Sequence, residues 1–166
     1  MNFDQAFEKL LGHEGGYTDN PKDPGNWTGG KVSVGQLKGT KFGIAANTYP
    51  DLDIKNLTVE QAKAIYRRDF WDRVRADELP PRIRYAMFDA TVNSGPGQAV
   101  RWLQRAVNVA DDGKLGPITL RAAKSADQEQ VLRRMLSQRL RFMASLSTWP
   151  AFSRGWARRI ADLLEV

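Results

Sequence analysis

The chain has 166 residues, 42% apolar and 27% charged, a composition that fits one compact domain or two small lobes around a real core. Lys and Arg number 25 against 19 Asp and Glu, a net charge of +6, so the expected partner is anionic: nucleic acid, a membrane surface, or a charged polymer such as a cell wall. The absence of cysteine and the single histidine, His13, exclude disulfides, thiolate metal centres and a multi-histidine zinc site; no metal or cofactor is expected.

In chain order, Phe3, Phe7, Leu10 and Leu11 share one helical face and predict an amphipathic helix over residues 3 to 12. From Tyr17 to Asn47 the period is lost and Gly, Pro, Asn and Thr dominate. Two short pieces there, Lys31–Val34 and Thr40–Ile44, are expected to pair as a small hairpin. Thr58-Val59-Glu60-Gln61 is a capping-box pattern opening a second helix that stops before Pro80-Pro81, and Pro81 suits the first turn of a third near Arg82 to Asn93. SGPG at 94–97 breaks that helix. A fourth carries Val100, Leu103 and Val107, Gly116-Pro117 opens a short one, Asp127 caps a long one, and Trp149-Pro150 punctuates before the last. No apolar run approaches the ~18 residues of a membrane span, and no basic-then-apolar leader precedes Asp4 and Glu8. The chain therefore reads as mainly α, a helical bundle with a small irregular or β-containing lobe near the N-terminus.

Several motifs fail. Gly25 to Val32 has Walker-type glycines and Lys31, but Val32 stands where Ser or Thr must reach Mg²⁺. His13-Glu14 lacks the second histidine of HExxH, and there is no GxSxG elbow. Glu14 is different. The stripe 3, 7, 10 continues by four residues onto position 14, so a helix persisting that far turns its carboxyl toward apolar surface. Such a carboxyl has its charged form disfavoured and its pKa raised, the condition for a general acid near neutral pH. Glycosidic cleavage needs a second carboxyl across a groove, and the turn-rich segment after Glu14 offers Asp19 and Asp23 in a loop where they stay ionised. The competing reading is a surface glutamate at a fraying helix end.

HEGGYTDNPKDPG at 13–25, followed by GTKFGI at 39–44, resembles the N-terminal signature of the family-108 glycoside hydrolases. These are N-acetylmuramidases found among phage endolysins and secretion activator proteins. The resemblance implies that Glu14, the glutamate of EGGY, is the catalytic acid. Phage-type lysozymes, more widely, use a glutamate, an aspartate after eight intervening residues, and a threonine shortly before Gly-Ile; the matching positions are Asp23 and Thr40. Here PGNWTGGKVSVGQLKG separates Asp23 from Thr40, where phage-type lysozymes cross in a few residues, so Asp19 and Thr28 compete for the two roles. FDATVNSGPGQAVRWLQ at 88–104 and DGKLGPITLRA at 112–122 are similar to a peptidoglycan-binding-type C-terminal segment.

The resemblance implies a lysozyme-like α+β fold with a cleft between lobes, a catalytic region over residues 1–93 and a helical wall-binding segment over 94–166. It implies hydrolysis of the β-1,4 bond between N-acetylmuramic acid and N-acetylglucosamine, leading to host lysis. Glu14 donates the proton, Asp23 activates water or stabilises the transition state, and Thr40 orients that water. Sugar recognition needs flat apolar faces and amides, for which Tyr17, Trp71, Tyr85 and Asn93 are the candidates. The partner is the peptidoglycan glycan strand, and the chain is expected to be a monomer. From Gln130 to Ala161 there are seven arginines and no acid, so these helices are candidates for an anionic outer-membrane or wall surface. The missing leader points to accumulation in the bacterial cytoplasm before release to the wall. Two rivals are a non-catalytic wall-binding module and a basic helical nucleic-acid binder; no recognition-helix motif favours the second.

Overall fold

The computed structural model describes residues 1–12 and 16–165. Among them are seven α-helices and one two-stranded sheet, so the mainly α architecture with a small β element near the N-terminus is the one expected. Helix α1 spans Phe3–Leu11 and ends where Gly12 turns left-handed at φ +55° and donates its N–H to the Glu8 carbonyl at 3.1 Å. The apolar stripe that led toward Glu14 thus ends with its helix at Leu11; Glu14 itself lies outside the described residues.

The packing divides into two compact units, Phe7–Arg67 and a second made of Met1–Ala6 with Arg68–Val166. In the first, strands β1 (Thr40–Lys41) and β2 (Ile44–Ala45) pair antiparallel, Thr40 opposite Ala45 and Lys41 opposite Ile44. The two residues between them, Phe42 and Gly43, both have positive φ, 51° and 73°, as a two-residue hairpin requires if its twist is to match its strands. Tyr66 fixes this turn: its hydroxyl donates to the Phe42 carbonyl at 3.1 Å and leaves no room for a side chain on Gly43. The hairpin therefore closes within 40–45. Lys31–Val34, expected as its other strand, is a turn with Ser33 at φ 65°. Helix α2 (Val59–Tyr66) begins on the capping box as expected, with Thr58 and Gln61 bonded reciprocally at 3.2 and 2.9 Å. Phe7, Ile44, Ile54, Leu57, Ile65 and Tyr66 are buried in this unit.

The second helix was expected to run on toward Pro80. It ends earlier, and residues 67–78 form a widened turn followed by two 3₁₀ turns, with Arg75 left-handed at φ 45° between them. In the second unit, α3 (Pro81–Ser94), α4 (Pro96–Ala106), α5 (Pro117–Ser125), α6 (Gln128–Ala144) and α7 (Trp149–Leu164) follow. Prolines in the first turn open α3, α4, α5 and α7, where no N–H is lost. Helix α6 starts on Asp127, whose carboxylate accepts from the Gln130 N–H at 3.0 Å. Phe3, Trp71 and Phe88 form an edge-to-face aromatic trio with centroids 5.4 to 6.1 Å apart. Ile83, Met87, Leu103, Leu132 and Met135 are also buried in this unit.

One buried polar cluster crosses this helical unit. Asp89 on α3, 1% exposed, pairs with Arg139 of α6 at 2.5 Å and with Arg159 of α7 at 2.5 Å. A lone buried carboxylate carries a desolvation cost of several kcal/mol; two guanidinium partners offset it and fix three helices in one register. A second polar centre forms around buried Gln104, whose amide N–H₂ donates to Asp112 at 2.7 Å and to the Lys114 carbonyl at 3.1 Å. Its oxygen accepts from the Gly113 N–H at 2.9 Å, so the DGKLG stretch is folded onto α4 by one side chain.

Candidate active site

The turn-rich unit builds its site around a residue the sequence did not single out. Asp23 caps a 3₁₀ turn over Pro24–Asn26, its carboxylate accepting from the Gly25 N–H at 2.8 Å. That turn drives Asn26 inward to zero exposure. There its amide donates to the Asn20 carbonyl at 3.1 Å, and its side-chain oxygen accepts the Thr40 hydroxyl proton at 2.7 Å. Its backbone carbonyl takes the N–H groups of Lys38 and Gly39, both at 3.0 Å. Asn26 is thus the hub joining the Asp23 turn to strand β1.

The long insert is accommodated by closing on itself. Trp27 bridges Leu37, the Thr28 N–H donates to the Gln36 carbonyl, and the Gly29 N–H donates to the Val34 carbonyl. A folded loop thereby leaves the chain beside Asn26 and returns it there, and Thr40 is brought to the Asp23 turn although seventeen positions separate them in sequence. Thr40 is pinned further by a two-way backbone bridge to Thr18, at 2.8 and 2.9 Å. Gly39 is what lets the strands close: at φ +81°, a Cβ there would stand 2.5 Å from the Thr18 carbonyl and 2.7 Å from the Tyr17 ring.

The two competing residues occupy different settings. The Thr28 hydroxyl accepts from the Gln36 N–H at 2.9 Å, so it serves the loop's own closure. Asp19 is exposed, next to the Thr18 bridge, while Asp23 is exposed at the hub's turn. Thr40 is half-buried.

Of the expected sugar contacts, Tyr17 is half-buried and lines a cavity of about 370 Å³ with Leu37, Lys38, Asp53 and Ile54. Burial, and then the nearby Asp19 and Asp53 charges, raise its phenol pKa above the ordinary value. Asp53 is held below the usual aspartate range chiefly by hydrogen bonds from Asn56. Trp71 and Tyr85 correct the expectation. Trp71 is wholly buried in the aromatic trio of the helical unit and offers no face to a sugar. Tyr85 is 6% exposed, with its phenol pushed up to about 12 by burial and then by Asp89. Asn93 is exposed on α3, its amide donating to the Asp89 carbonyl at 2.7 Å. The helical period alone cannot tell an aromatic platform from a core aromatic, and here the core won twice. Among the described residues no group of acidic or histidine side chains forms a metal centre.

A family model described as glycosyl hydrolase 108 matches residues 7–95, more than half of the chain. The chain belongs to that family. A second model, described as a predicted peptidoglycan domain, matches residues 98–161. Among solved structures the chain is similar to SagA of Brucella abortus, at 32% identity and a TM-score of 0.82, covering 98% of this chain and 91% of that one. No curated protein matches it. The protein is a glycoside hydrolase of the peptidoglycan-hydrolysing type, and peptidoglycan is its partner.

Proposed function

We propose that the protein is an N-acetylmuramidase that hydrolyses the β-1,4 bond between N-acetylmuramic acid and N-acetylglucosamine, and that this cleavage serves cell lysis. Glu14 protonates the leaving glycosidic oxygen, Asp23 activates water or steadies the oxocarbenium-like transition state, and Thr40 orients that water. The observation that carries the assignment of the second and third roles is the Asn26 hub, which ties the Asp23 turn to the Thr40 hydroxyl at 2.7 Å. A hydroxyl whose proton is committed to a buried amide oxygen has its lone pairs left to accept from a water. The Asp23 carboxylate, bonded to the Gly25 N–H in an exposed turn, has further lone pairs with which to accept from that water.

Glu14→Gln tests the acid. General acid catalysis contributes roughly 10²–10⁴-fold, so release of reducing ends from purified sacculi should fall by that factor while the variant stays folded. Mass spectrometry of the wild-type digest should find muramic acid at the new reducing ends. Near wild-type release by folded Glu14→Gln protein, or glucosamine at those ends, would refute the assignment.

A further inference from the structure

A broad concave surface in the helical unit lies along α4 and α6. It is a groove of about 910 Å³, the size of a ligand site. On α6, Gln130, Arg133, Arg134, Ser137, Gln138 and Arg141 recur at helical spacing and form one wall. Arg105 and Gln98 of α4 face them, with Asn108 just beyond that helix. Four guanidinium groups line the groove and, among the described residues, no carboxylate does.

Their partners set two of the four apart. Arg105 is paired with Asp111, and Arg134 donates to the Ala106 carbonyl at 3.1 Å. Arg133 and Arg141 are exposed and, among the described residues, neither guanidinium donates a hydrogen bond or closes a salt bridge, although Arg133 is near enough to Glu129 to help lower that carboxyl's pKa. Arg133 and Arg141 thus present two guanidinium forks on one wall, two turns apart, that an anion would pair.

We infer that this groove binds the peptide part of peptidoglycan, with Arg133 and Arg141 taking its carboxylates. The inference rests on peptidoglycan as the partner and is independent of the chemistry assigned to Glu14. The charge pattern chooses the peptide over the sugar. Alternating N-acetylated sugars with amidated lactyl groups are neutral, and the wall's carboxylates lie on its stem peptides. Guanidinium forks match carboxylates in bidentate fashion, and the amides of Gln98, Gln130 and Asn108 match peptide N–H and C=O groups. Sugar binding by contrast calls for open aromatic faces. Trp102 is 2% exposed, which leaves Phe142, itself packed edge-on against Trp102, as the one aromatic face in the groove. This gives Arg133, Arg134 and Arg141 of the acid-free arginine run a location in the groove, while Arg139 and Arg159 serve the buried Asp89 cluster.

The test uses the full chain and a fluorescently labelled stem tetrapeptide released from sacculi by an amidase. Because this probe has no glycosidic bond, its binding reads the groove whether or not the protein is a muramidase. Fluorescence anisotropy should show binding that weakens with added salt, and Arg133→Gln/Arg141→Gln should bind roughly tenfold more weakly. Unlabelled tetrapeptide should displace the probe, and peptide-free glycan strands at equal mass should not. The inference is overturned if the tetrapeptide does not bind, if the double variant with a wild-type circular dichroism spectrum binds it as wild type does, if glycan strands compete equally, or if lipopolysaccharide vesicles are preferred to the tetrapeptide.

Discussion

Removing the Asn26 side chain is the sharpest test of the hub. Asn26→Ala deletes two hydrogen bonds, one to the Asn20 carbonyl at 3.1 Å and one from the Thr40 hydroxyl at 2.7 Å, at a position with zero exposure. Each bond contributes about 1 kcal/mol net, and leaving a buried partner unsatisfied raises the loss, so about 2–4 kcal/mol of stability should disappear. Thr40→Val keeps the shape and removes the donor, leaving the buried Asn26 side-chain oxygen without it, and should cost about 1–3 kcal/mol. Combined in a double-mutant cycle, the two should be less than additive by about 1 kcal/mol, because they share one bond. Urea denaturation of the four proteins measures this. If Thr40 positions the attacking water, both single variants should also lose about 10²-fold in kcat with little change in KM. Strict additivity within about 0.3 kcal/mol would show that the Thr40–Asn26 bond contributes nothing in solution, and the reasoning that ties Asp23 to Thr40 would fail with it.

Asp89→Ala should destabilise the helical unit by about 3–5 kcal/mol, since it strands Arg139, whose side chain is 3% exposed, without its counter-charge. Arg159→Ala should cost less, because that side chain is 37% exposed and solvent compensates it; equal losses for the two, read by urea denaturation, would contradict this ordering. Asp112 is held below its ordinary 3.8, first by the Lys114 backbone N–H and then by Gln104. A depressed folded pKa stabilises above the unfolded value and is lost as pH falls through the folded one, so this contribution is intact above about pH 3.8, begins to decline there and is lost as pH falls through the lower folded pKa. Thermal melts between about pH 5 and pH 2 should show wild type losing more than Asp112→Asn over that interval; parallel curves would rule it out. Gly39→Ala meets both a left-handed φ of +81° and a backbone oxygen 2.5 Å from the new Cβ, so it should destabilise the turn-rich unit by about 1–3 kcal/mol or more, measured as a lower unfolding midpoint.

The helices were legible because their signals are local. Thr58 and Gln61 announce a capping box within four residues, Asp127 caps α6, and Pro81 and Pro117 mark first turns whose N–H groups have no intrahelical partner anyway. Glu14, Asp23 and Thr40 were singled out by their spacing within a resemblance to known lysozymes, and the structure links the last two through one intervening residue. What stayed hidden depends on contacts between residues far apart in sequence. Asn26 lies in PGNWTGG, a run that reads simply as loop, and its importance exists only once Lys38, Gly39 and Thr40 return to it. The misplaced hairpin has the same origin. Val32 and Val34 have the β-branched composition of a strand, but Ser33 at φ 65° and Gly35 at φ 82° bend that piece into a turn, and both valines remain exposed.

The boundary between the two family matches, at residues 95–98, is not a boundary in the packing of the helical unit. Asp89 belongs to the first match, Arg139 and Arg159 to the second, and they form one buried ion cluster. A wall-binding segment attached by a flexible linker would need no such cluster, and its binding site would be free to point anywhere. Here Gly95, at φ 80°, separates α3 from α4 by a single residue, and the buried charges lock α3, α6 and α7 together. The Arg133–Arg141 wall on α6 is thereby fixed relative to α3, the last helix of the hydrolase match. On the proposed reading of the groove, wall recognition by this segment uses one surface held in a set orientation to α3. Any substitution that loosens Asp89 should disturb recognition through geometry, even though Asp89 itself, at 1% exposure, touches no wall polymer.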